Sequence, residues 1–264
     1  MIVSVLMSIY KGDDVLALNA SLESIVQYLS YADEFVIVVD GPETDMHVQA
    51  VKSVLPDDKL KIVLLPSNLG LGRALNAGLQ HCRGDIICRM DSDDICVSSR
   101  FSGCVELFRE NPNLAVVGSN ILEVDEQGRE YIRKVPNDFD GVKRFSRRRN
   151  PINHVSVCFR KHFVMSVGSY NHCPFHEDYD LWLRLMQSGV ELKNIDDIWV
   201  RVSAGSGQIS RRRGVSYFWH ELFFLRKNIK WFGCYAIPYL LVRLPVRFMP
   251  ANVVTYIYRL LRKR

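Results

Sequence analysis

Short apolar runs alternate with segments of helical periodicity between residues 2 and 90 of the chain. The apolar runs are rich in Val, Ile and Leu and too short for helices, whereas the segments between them place apolar side chains three and four residues apart. This alternation predicts an α/β fold, a mostly parallel sheet with helices on both faces. The predicted strands are residues 2–9, 33–39, 60–65 and 86–90, and the predicted helices are residues 15–28, 48–55 and 68–82.

Three aspartates follow the fourth predicted strand, in the stretch GDIICRMDSDD. Asp91, Asp93 and Asp94 would repel one another at a strand end unless a cation or hydrogen-bond donors offset their charge. Mg²⁺ and Mn²⁺ are commonly held by one or two carboxylates together with substrate phosphates. The alternative is a solvated turn that caps the next segment, and the three aspartates alone do not decide between the two.

Polar residues also stand at the ends of the other three strands, and the carboxyl ends of neighbouring parallel strands form one ligand-binding crevice. An aromatic ring, a separate aspartate, an arginine and a metal-binding pair together suit a nucleoside diphosphate. Each has a simpler alternative, such as loop packing for the aromatic or solvent exposure for the arginine. The predicted nucleotide-binding residues are Ser8, Tyr10, Asp40, Asn68, Arg73 and Asp91.

The segment NLGLGRALNAG contains a Gly-x-Gly that is not a dinucleotide-binding fingerprint. Leu75 stands where the third glycine would be, and the segment follows the third strand rather than the first. We therefore exclude a nicotinamide dinucleotide as the ligand.

The seven cysteines are scattered and include no C-x-x-C pair, which argues against a disulfide framework or zinc ribbon and predicts reduced thiols in a cytoplasm. The first residues, MIVSVLMSIYKGDD, lack a basic leader and become polar too soon for a signal peptide. We expect them to form a buried strand. A chain of 264 residues is long enough for one large core with a small appendage.

The net charge of +5 is unevenly distributed. Residues 201–264 carry 13 Lys and Arg and one acid, whereas residues 1–200 carry 21 basic and 28 acidic side chains. This asymmetry favours an anionic partner, either a membrane surface or nucleic acid. No base-reading motif accompanies the charge, so we predict no nucleic-acid partner.

The middle of the chain predicts a helix over residues 100–110 and strands over residues 114–123 and 153–160. The polar stretch between the last two includes the arginine-rich residues 144–149, for which a solvated face is favoured over a substrate role. A second acidic group, Glu177, Asp178 and Asp180, precedes an apolar helix. Acids at a helix start are favoured by capping and by the helix dipole, so this group also has a purely structural explanation.

Four segments together resemble family 2 glycosyltransferases: SVLMSIYKGD, DEFVIVVDGP, NLGLGRALNAGLQHCRGDIICRMDSDD and HEDYDLWLRL. The resemblance covers residues 1–205 and implies a GT-A fold, with a nucleotide-binding half over residues 1–94 and an acceptor half over residues 95–205. It implies that Asp40 contacts uracil, that Asp91 contacts ribose or metal, and that Asp93 binds the Mn²⁺ or Mg²⁺ bridging the UDP phosphates. It also implies that His154 contacts the acceptor sugar.

Inverting transfer from an α-linked UDP donor needs one base to take the acceptor proton. No general acid is required, because the metal stabilises the leaving diphosphate. The resemblance places the base in the second acidic group. We predict Asp178 in that role, with Glu177 and Asp180 supporting it.

The chain most resembles bacterial enzymes that extend O-antigen or exopolysaccharide units on undecaprenyl diphosphate, particularly β1,3-galactosyl- and glucosyltransferases acting on GlcNAc-diphospho-undecaprenol. This implies a UDP-galactose donor, with UDP-glucose as the alternative, a lipid-linked acceptor, and a peripheral location on the cytoplasmic face of the inner membrane. A nucleotidyltransferase and a non-catalytic protein that binds lipid diphosphates remain as other classes.

Processive members of the family carry Q-x-x-R-W, but no Trp follows Gln208 and Arg211 here, which indicates transfer of a single sugar. Arg211 and Arg212 are predicted to bind UDP or the lipid diphosphate. The longest charge-free run of the tail, residues 231–242, has 12 residues, too few for the roughly 20 that span a bilayer. We expect residues 206–264 to form basic amphipathic helices that lie in an anionic membrane interface.

Overall fold

The computed structural model describes residues 1–28, 30–97, 100–203, 214–249 and 253. The four predicted strands and three predicted helices of the first part of the chain are present, with ends within three residues of the predicted ones. In chain order these elements are β1 (Val3–Ile9), α1 (Val15–Val26), β2 (Glu34–Asp40), α2 (Asp45–Val54), β3 (Leu60–Leu65), α3 (Leu71–His81) and β4 (Ile86–Met90).

These four strands are parallel and lie in the order β3-β2-β1-β4. Their alternating residues face opposite sides of the sheet, as the two-residue period of a strand requires. Leu6 and Val36 join a core with α3, whereas Val5 and Phe35 join a second core with α1. The predicted α/β architecture is therefore confirmed, with a helical layer on each face.

The rest of the sheet is mixed, because β4 continues into antiparallel neighbours. Across the described residues the order is β3-β2-β1-β4-β8-β6-β9-β5, and β7 pairs with β6. Strand β8 is antiparallel to β4 and β6, whereas β6 and β9 are parallel. The added elements are β5 (Ile95–Cys96), α4 (Arg100–Glu110), β6 (Leu114–Val124), β7 (Glu130–Arg133), α5 (Phe139–Phe145), β8 (Cys158–Arg160), α6 (Lys161–Ser166), α7 (Glu177–Gln187) and β9 (Glu191–Ser203).

Two sequence expectations differ from the structure in this half. The predicted strand over residues 153–160 is shorter, because His154–Ser156 form a 3₁₀ turn before β8 begins. The polar stretch before it contains β7 and α5, for which no element was predicted. Both are short, and β7 alternates exposed with partly buried residues at the margin of the sheet, so neither has a strong hydrophobic period.

Three helices follow the residues outside the described part: α8 (Gly214–Lys227), α9 (Ile229–Phe232) and α10 (Ala236–Phe248). Phe224, Phe232 and Tyr239 are buried in the same core as Tyr179 of α7, so α8 to α10 pack against the sheet-bearing part of the chain. Arg211 and Arg212 lie outside the described residues. Among the helices that the structure describes, none has the length and apolar character needed to cross a membrane.

Candidate active site

The carboxyl ends of β1, β2 and β4 lie together, because β1 pairs in parallel with both neighbours. Ser8 is paired with Val38 near the end of β1, and Tyr10 follows that strand. Asp40 ends β2 and Asp91 follows β4. The parallel topology thus brings the predicted nucleotide-binding residues to one edge of the sheet.

The three aspartates after β4 form one compact acidic group. A carboxylate oxygen from each of Asp91, Asp93 and Asp94 lies within 4.8 Å of the others. Asp94 is 2% exposed, and burial together with the charges of Asp91 and Asp93 raises its pKa to about 8. One oxygen of Asp94 is buried without a hydrogen-bond partner among the described residues. The three carboxylates offer only oxygen ligands and repel one another. A hard divalent cation would offset this repulsion and prefers oxygen ligands.

Arg89 in β4 is a site residue that sequence reasoning missed. Its side chain is 3% exposed and forms an ion pair with Asp91. Its Nε and Nη1 are buried and have no hydrogen-bond partner among the described residues. The charge of Arg89 partly offsets the rise in the pKa of Glu177 that burial causes, so the guanidinium lies within electrostatic range of both acidic groups. The only sequence signal was a cation in the apolar run IICRM.

Arg100 of α4 fixes the backbone near the acidic group. It is fully buried and donates hydrogen bonds to the carbonyl oxygens of Arg89 and Val157. It therefore ties β4 to the turn before β8. The sequence predicted only that Arg100 begins a helix.

Asp40 holds the loop that precedes α3. One of its carboxylate oxygens accepts from Leu69 N at 2.7 Å and the other accepts from Gly70 N at 3.0 Å. Asn68 Nδ2 donates to the Asp40 carbonyl oxygen at 3.3 Å. The positive φ of 83° at Gly70 suits a glycine in this turn. These contacts shape the crevice wall, and the predicted contact of Asp40 with uracil stays a prediction.

Tyr10 and Arg73 are exposed at the mouth of the crevice. The Tyr10 ring lies against Gly12, where an added Cβ would be 2.5 Å from Tyr10 Cε2, so Gly12 lets the ring cover the loop backbone. Tyr10 remains 40% exposed. Arg73 is exposed in the first turn of α3. Both side chains are accessible to a ligand, and their roles toward a nucleotide stay predictions.

Glu177 and Asp178 lie in the first turn of α7, with defined partners. Asp178 accepts from Asn150 Nδ2 at 2.6 Å and from Tyr179 N at 2.7 Å. Burial raises the pKa of Glu177 to about 7. A Cβ added at Gly72 would lie 3.1 Å from Glu177 Cγ, so Glu177 lies against the first turn of α3.

Asp180 has different surroundings from the other two acids of its group. It is 0% exposed and forms ion pairs with Arg184 at 2.8 Å and Lys227 at 2.6 Å. Residues two apart lie on opposite sides of a helix, so Asp178 and Asp180 point in different directions. Asp180 links α7 to α8, and these contacts are structural.

His154 lies within an aromatic cluster that includes Tyr170 and Trp182. Its Nε2 is 2.9 Å from the Tyr170 hydroxyl, and its ring is 6.0 Å from that of Trp182. Loss of water around the ring and the charge of Arg89 hold the pKa of His154 well below its usual value. The imidazole is therefore neutral at pH 7, and its contact with an acceptor sugar stays a prediction.

The family model for glycosyl transferase family 2 matches residues 4–173 of the chain, which include the parallel strands, the acidic group after β4 and His154. The chain belongs to glycosyl transferase family 2. The resemblance of the sequence motifs to family 2 glycosyltransferases is therefore confirmed, and the roles of the site residues stay predictions.

Two curated relatives are similar to this transferase over nearly its whole length. The amylovoran biosynthesis glycosyltransferase AmsE of Erwinia amylovora is 39% identical, over 98% of this chain and 99% of its own. The UDP-Gal:alpha-D-GlcNAc-diphosphoundecaprenol beta-1,3-galactosyltransferase of Escherichia coli is 32% identical, over 99% of this chain and 96% of its own.

Among solved structures, residues 1–349 of Staphylococcus aureus TarS give a TM-score of 0.58 at 17% identity. The match covers 80% of the transferase and 63% of that chain. It supports a shared fold, in agreement with the predicted GT-A architecture.

The ion pairs of Asp180 predict a stability effect for the transferase. Asp180→Asn is expected to lower the free energy of unfolding by about 3 kcal/mol, because it leaves two cations beside a buried site without their counter-charge. Urea unfolding at pH 7 measures the change. Asp140→Asn is the matched control, since Asp140 is exposed on α5, and an equal loss in both variants would contradict the assignment.

The raised pKa of Glu177 predicts a pH-dependent stability. The folded value of about 7 lies above the ordinary 4.5, so the contribution of Glu177 is fully present below pH 4.5 and is lost as the pH rises through 7. Allowing for partial exposure, this loss is about 2 kcal/mol between pH 5 and pH 8. The free energy of unfolding of Glu177→Gln, measured in urea, should not show this loss between pH 5 and pH 8. An equal pH dependence in the wild type and in Glu177→Gln would contradict the raised pKa.

Proposed function

We propose that the transferase moves galactose from UDP-galactose, with inversion, onto GlcNAc-diphospho-undecaprenol in β1,3 linkage, during assembly of an O-antigen or exopolysaccharide unit. UDP-glucose is the alternative donor. One structural observation supports the mechanism: the buried Arg89 pairs with Asp91 and lies within electrostatic range of Glu177, so one cation influences both acidic groups. The name of the Escherichia coli relative supports the choice of donor and acceptor.

Asp178 is the general base in this proposal. Its carboxylate takes the proton from the acceptor hydroxyl as that oxygen bonds to the anomeric carbon, on the face opposite UDP. The bond from the anomeric carbon to the UDP oxygen breaks, and its electron pair leaves with UDP. Asn150 donates to one carboxylate oxygen of Asp178 at 2.6 Å, and the backbone amide of Tyr179 donates to the other. The two hydrogen bonds fix the orientation of the carboxylate.

Asp91 and Asp93 would hold Mn²⁺ or Mg²⁺, with Asp94 beside them. The ion would neutralise charge on the leaving diphosphate. Arg89 is already paired with Asp91, so the same guanidinium adds positive charge next to the place where the diphosphate charge develops.

Peripheral attachment to the cytoplasmic face of the inner membrane is part of the proposal. Val215, Trp219 and Phe223 are four residues apart on α8 and are at least 57% exposed, and Ile237 and Leu241 of α10 are similarly exposed. Arg226 and Lys230 add exposed positive charge nearby. An exposed apolar stripe beside basic residues suits the interface of an anionic leaflet.

Point substitutions test attachment better than truncation, because α8 also supplies Phe224 to the core. Trp219→Gln with Phe223→Gln is expected to weaken sedimentation with phosphatidylglycerol vesicles at least about tenfold. The control is Leu64→Gln, since Leu64 is 70% exposed in β3. Equal vesicle binding by both variants would argue against this face.

The reaction is tested with radiolabelled UDP-galactose and UDP-glucose, each with Mn²⁺ or EDTA, and a synthetic GlcNAc-α-diphosphate with a lipid-like tail. Metal-dependent product from UDP-galactose is the expected result. Product from UDP-glucose alone would change the sugar. Failure with both donors in a protein that still binds UDP would overturn the proposed reaction, and would leave the nucleotidyltransferase and the non-catalytic lipid-diphosphate-binding protein as the remaining classes.

A further inference from the structure

A basic cavity lies on the acceptor side of the molecule, between α5 and the C-terminal helices. Its volume is about 390 Å³, within the range of small-ligand sites. The cavity is lined by Gly141, Arg144, Phe145, Arg147, Arg148 and Tyr235. We call it the arginine cavity.

The arginines of this cavity have no carboxylate partner among the residues that the structure describes. Among the described residues, Arg144, Arg147 and Arg148 form no ion pair with a carboxylate. The segments outside the described residues contain no Asp or Glu side chain in their sequence. Three neighbouring guanidinium groups with no acid are therefore available to an anion from outside the chain.

Two of these side chains lie against the protein surface, although Arg148 remains exposed. The Nε of Arg147 is buried and has no hydrogen-bond partner among the described residues. The Arg148 guanidinium lies 5.2 Å from the centroid of the Tyr235 ring, a cation–π distance. Arg144 stands in the last turn of α5, where the helix dipole favours a cation. That dipole does not account for Arg147 and Arg148, which follow the helix.

The cavity is connected directly to the proposed base. Asn150, two residues after Arg148, donates to Asp178 at 2.6 Å. Ser146 accepts from the Tyr179 hydroxyl at 2.6 Å through its carbonyl oxygen and from Trp231 Nε1 at 2.9 Å through its hydroxyl. The segment that carries the arginines thus lies between the first turn of α7 and α9, which connects the two helices that carry the exposed apolar stripe.

We propose that the arginine cavity binds the diphosphate of the lipid-linked acceptor. This inference rests on the proposed function and goes beyond it, because it assigns a second diphosphate site, separate from the acidic group that would serve the donor. Arginine forks match phosphate oxygens bidentately. A diphosphate bound there would place its sugar toward Asp178 and its lipid toward the exposed stripe of α8.

The first test uses inorganic pyrophosphate in EDTA, measured by calorimetry in an Asp93→Asn background, so that donor-site binding through a metal is absent. The variant is Arg147→Gln with Arg148→Gln, and the control is Lys143→Gln, an exposed cation of α5 outside the cavity. The expected result is binding in the background and the control, weakened at least about tenfold in the double variant. No binding in the background, or equal binding in all three proteins, would overturn the proposal.

The second test compares acceptors with and without a diphosphate. With active enzyme, the double variant should raise KM for the synthetic GlcNAc-diphosphate lipid at least about tenfold, with unchanged donor KM and an unchanged rate on a GlcNAc glycoside that lacks the diphosphate. The pyrophosphate result does not depend on catalysis, so it stands even if the proposed reaction fails.

Vesicles distinguish the acceptor from the bilayer as the source of phosphate. Phosphatidylcholine vesicles with and without phosphatidylglycerol should bind the double variant and the control equally. Selective loss of phosphatidylglycerol binding, with unchanged KM for the diphosphate acceptor, would assign the arginines to lipid headgroups and overturn the proposal.

Discussion

Asp178→Asn is expected to lower kcat by about 10³-fold, within the range that general-base catalysis contributes. The asparagine keeps the size of the side chain but cannot accept the acceptor proton. Donor KM should stay within about twofold, because Asp178 contacts neither the acidic group nor the crevice wall at Asp40 in the proposed complex. Initial rates with the radiolabelled donor and the synthetic acceptor measure both constants.

The control for this prediction is Glu177→Gln. Glu177 lies beside Asp178 in the same turn and has a pKa of about 7, which is also suited to a base. We expect its replacement to lower kcat only about tenfold, through the lost charge beside Asp178. If Glu177→Gln abolished transfer and Asp178→Asn kept a tenth of the rate, the base would be Glu177.

Replacing Asp178 also removes a hydrogen bond, so the folding of the variant has to be measured beside its kinetics. Asp178 accepts one hydrogen bond on each of its two carboxylate oxygens. In Asp178→Asn one of these oxygens becomes an NH₂ group, so the variant keeps one of the two hydrogen bonds. The expected stability cost is about 1 kcal/mol, which thermal unfolding measures. A larger loss in the inactive variant would make its kinetics uninformative, and Asn150→Ala would then separate orientation from proton transfer.

Asp93→Asn is expected to reduce transfer by about 10³-fold and to abolish the stabilisation of the protein by Mn²⁺. Asp93 is exposed, and its carboxylate joins those of Asp91 and Asp94 within 4.8 Å. Removing one of three oxygen donors weakens a hard cation site strongly, since so few protein ligands hold it. The readouts are kcat with saturating Mn²⁺ and the shift in melting temperature on adding Mn²⁺.

The matched comparison is Asp94→Asn. Its carboxyl has a pKa of about 8, so near pH 7 the protonated form predominates without a cation and the amide replaces it closely. We expect this variant to be at least as stable as the wild type in EDTA, and to lose less activity than Asp93→Asn. Full transfer by Asp93→Asn in EDTA would contradict the metal-dependent mechanism.

Much of the fold follows from local sequence patterns. The spacing of apolar residues predicted β1 to β4 and α1 to α3, because a strand or helix that is buried in a core needs apolar side chains on its buried faces. It failed for β7 and α5, which are short and half exposed. It also overextended the strand near His154, where the 3₁₀ turn is set by hydrogen bonds such as that of Ser156 N to the Asn153 carbonyl oxygen.

The sequence by itself determined which acidic residues stand at the end of a strand or at the start of a helix. Asp91, Asp93 and Asp94 had to follow β4, and Glu177, Asp178 and Asp180 had to open a helix, because apolar periodicity fixes those boundaries. A helical period also implies that Asp178 and Asp180 point apart. The partners of Asp180 come from α7 itself and from α8, and the second of these was not readable locally.

Only the tertiary structure decided what each charge meets. It paired the buried Arg89 with Asp91 and brought it within electrostatic range of Glu177, 86 residues after Asp91 in the chain. It also buried Arg100 against two carbonyl oxygens and set Tyr235 beside Arg148. The sequence indicated a solvated face for residues 144–149. Whether a charged side chain is paired, buried or free depends on segments that are distant in sequence. The local spacing of apolar residues does not show which distant segments will meet.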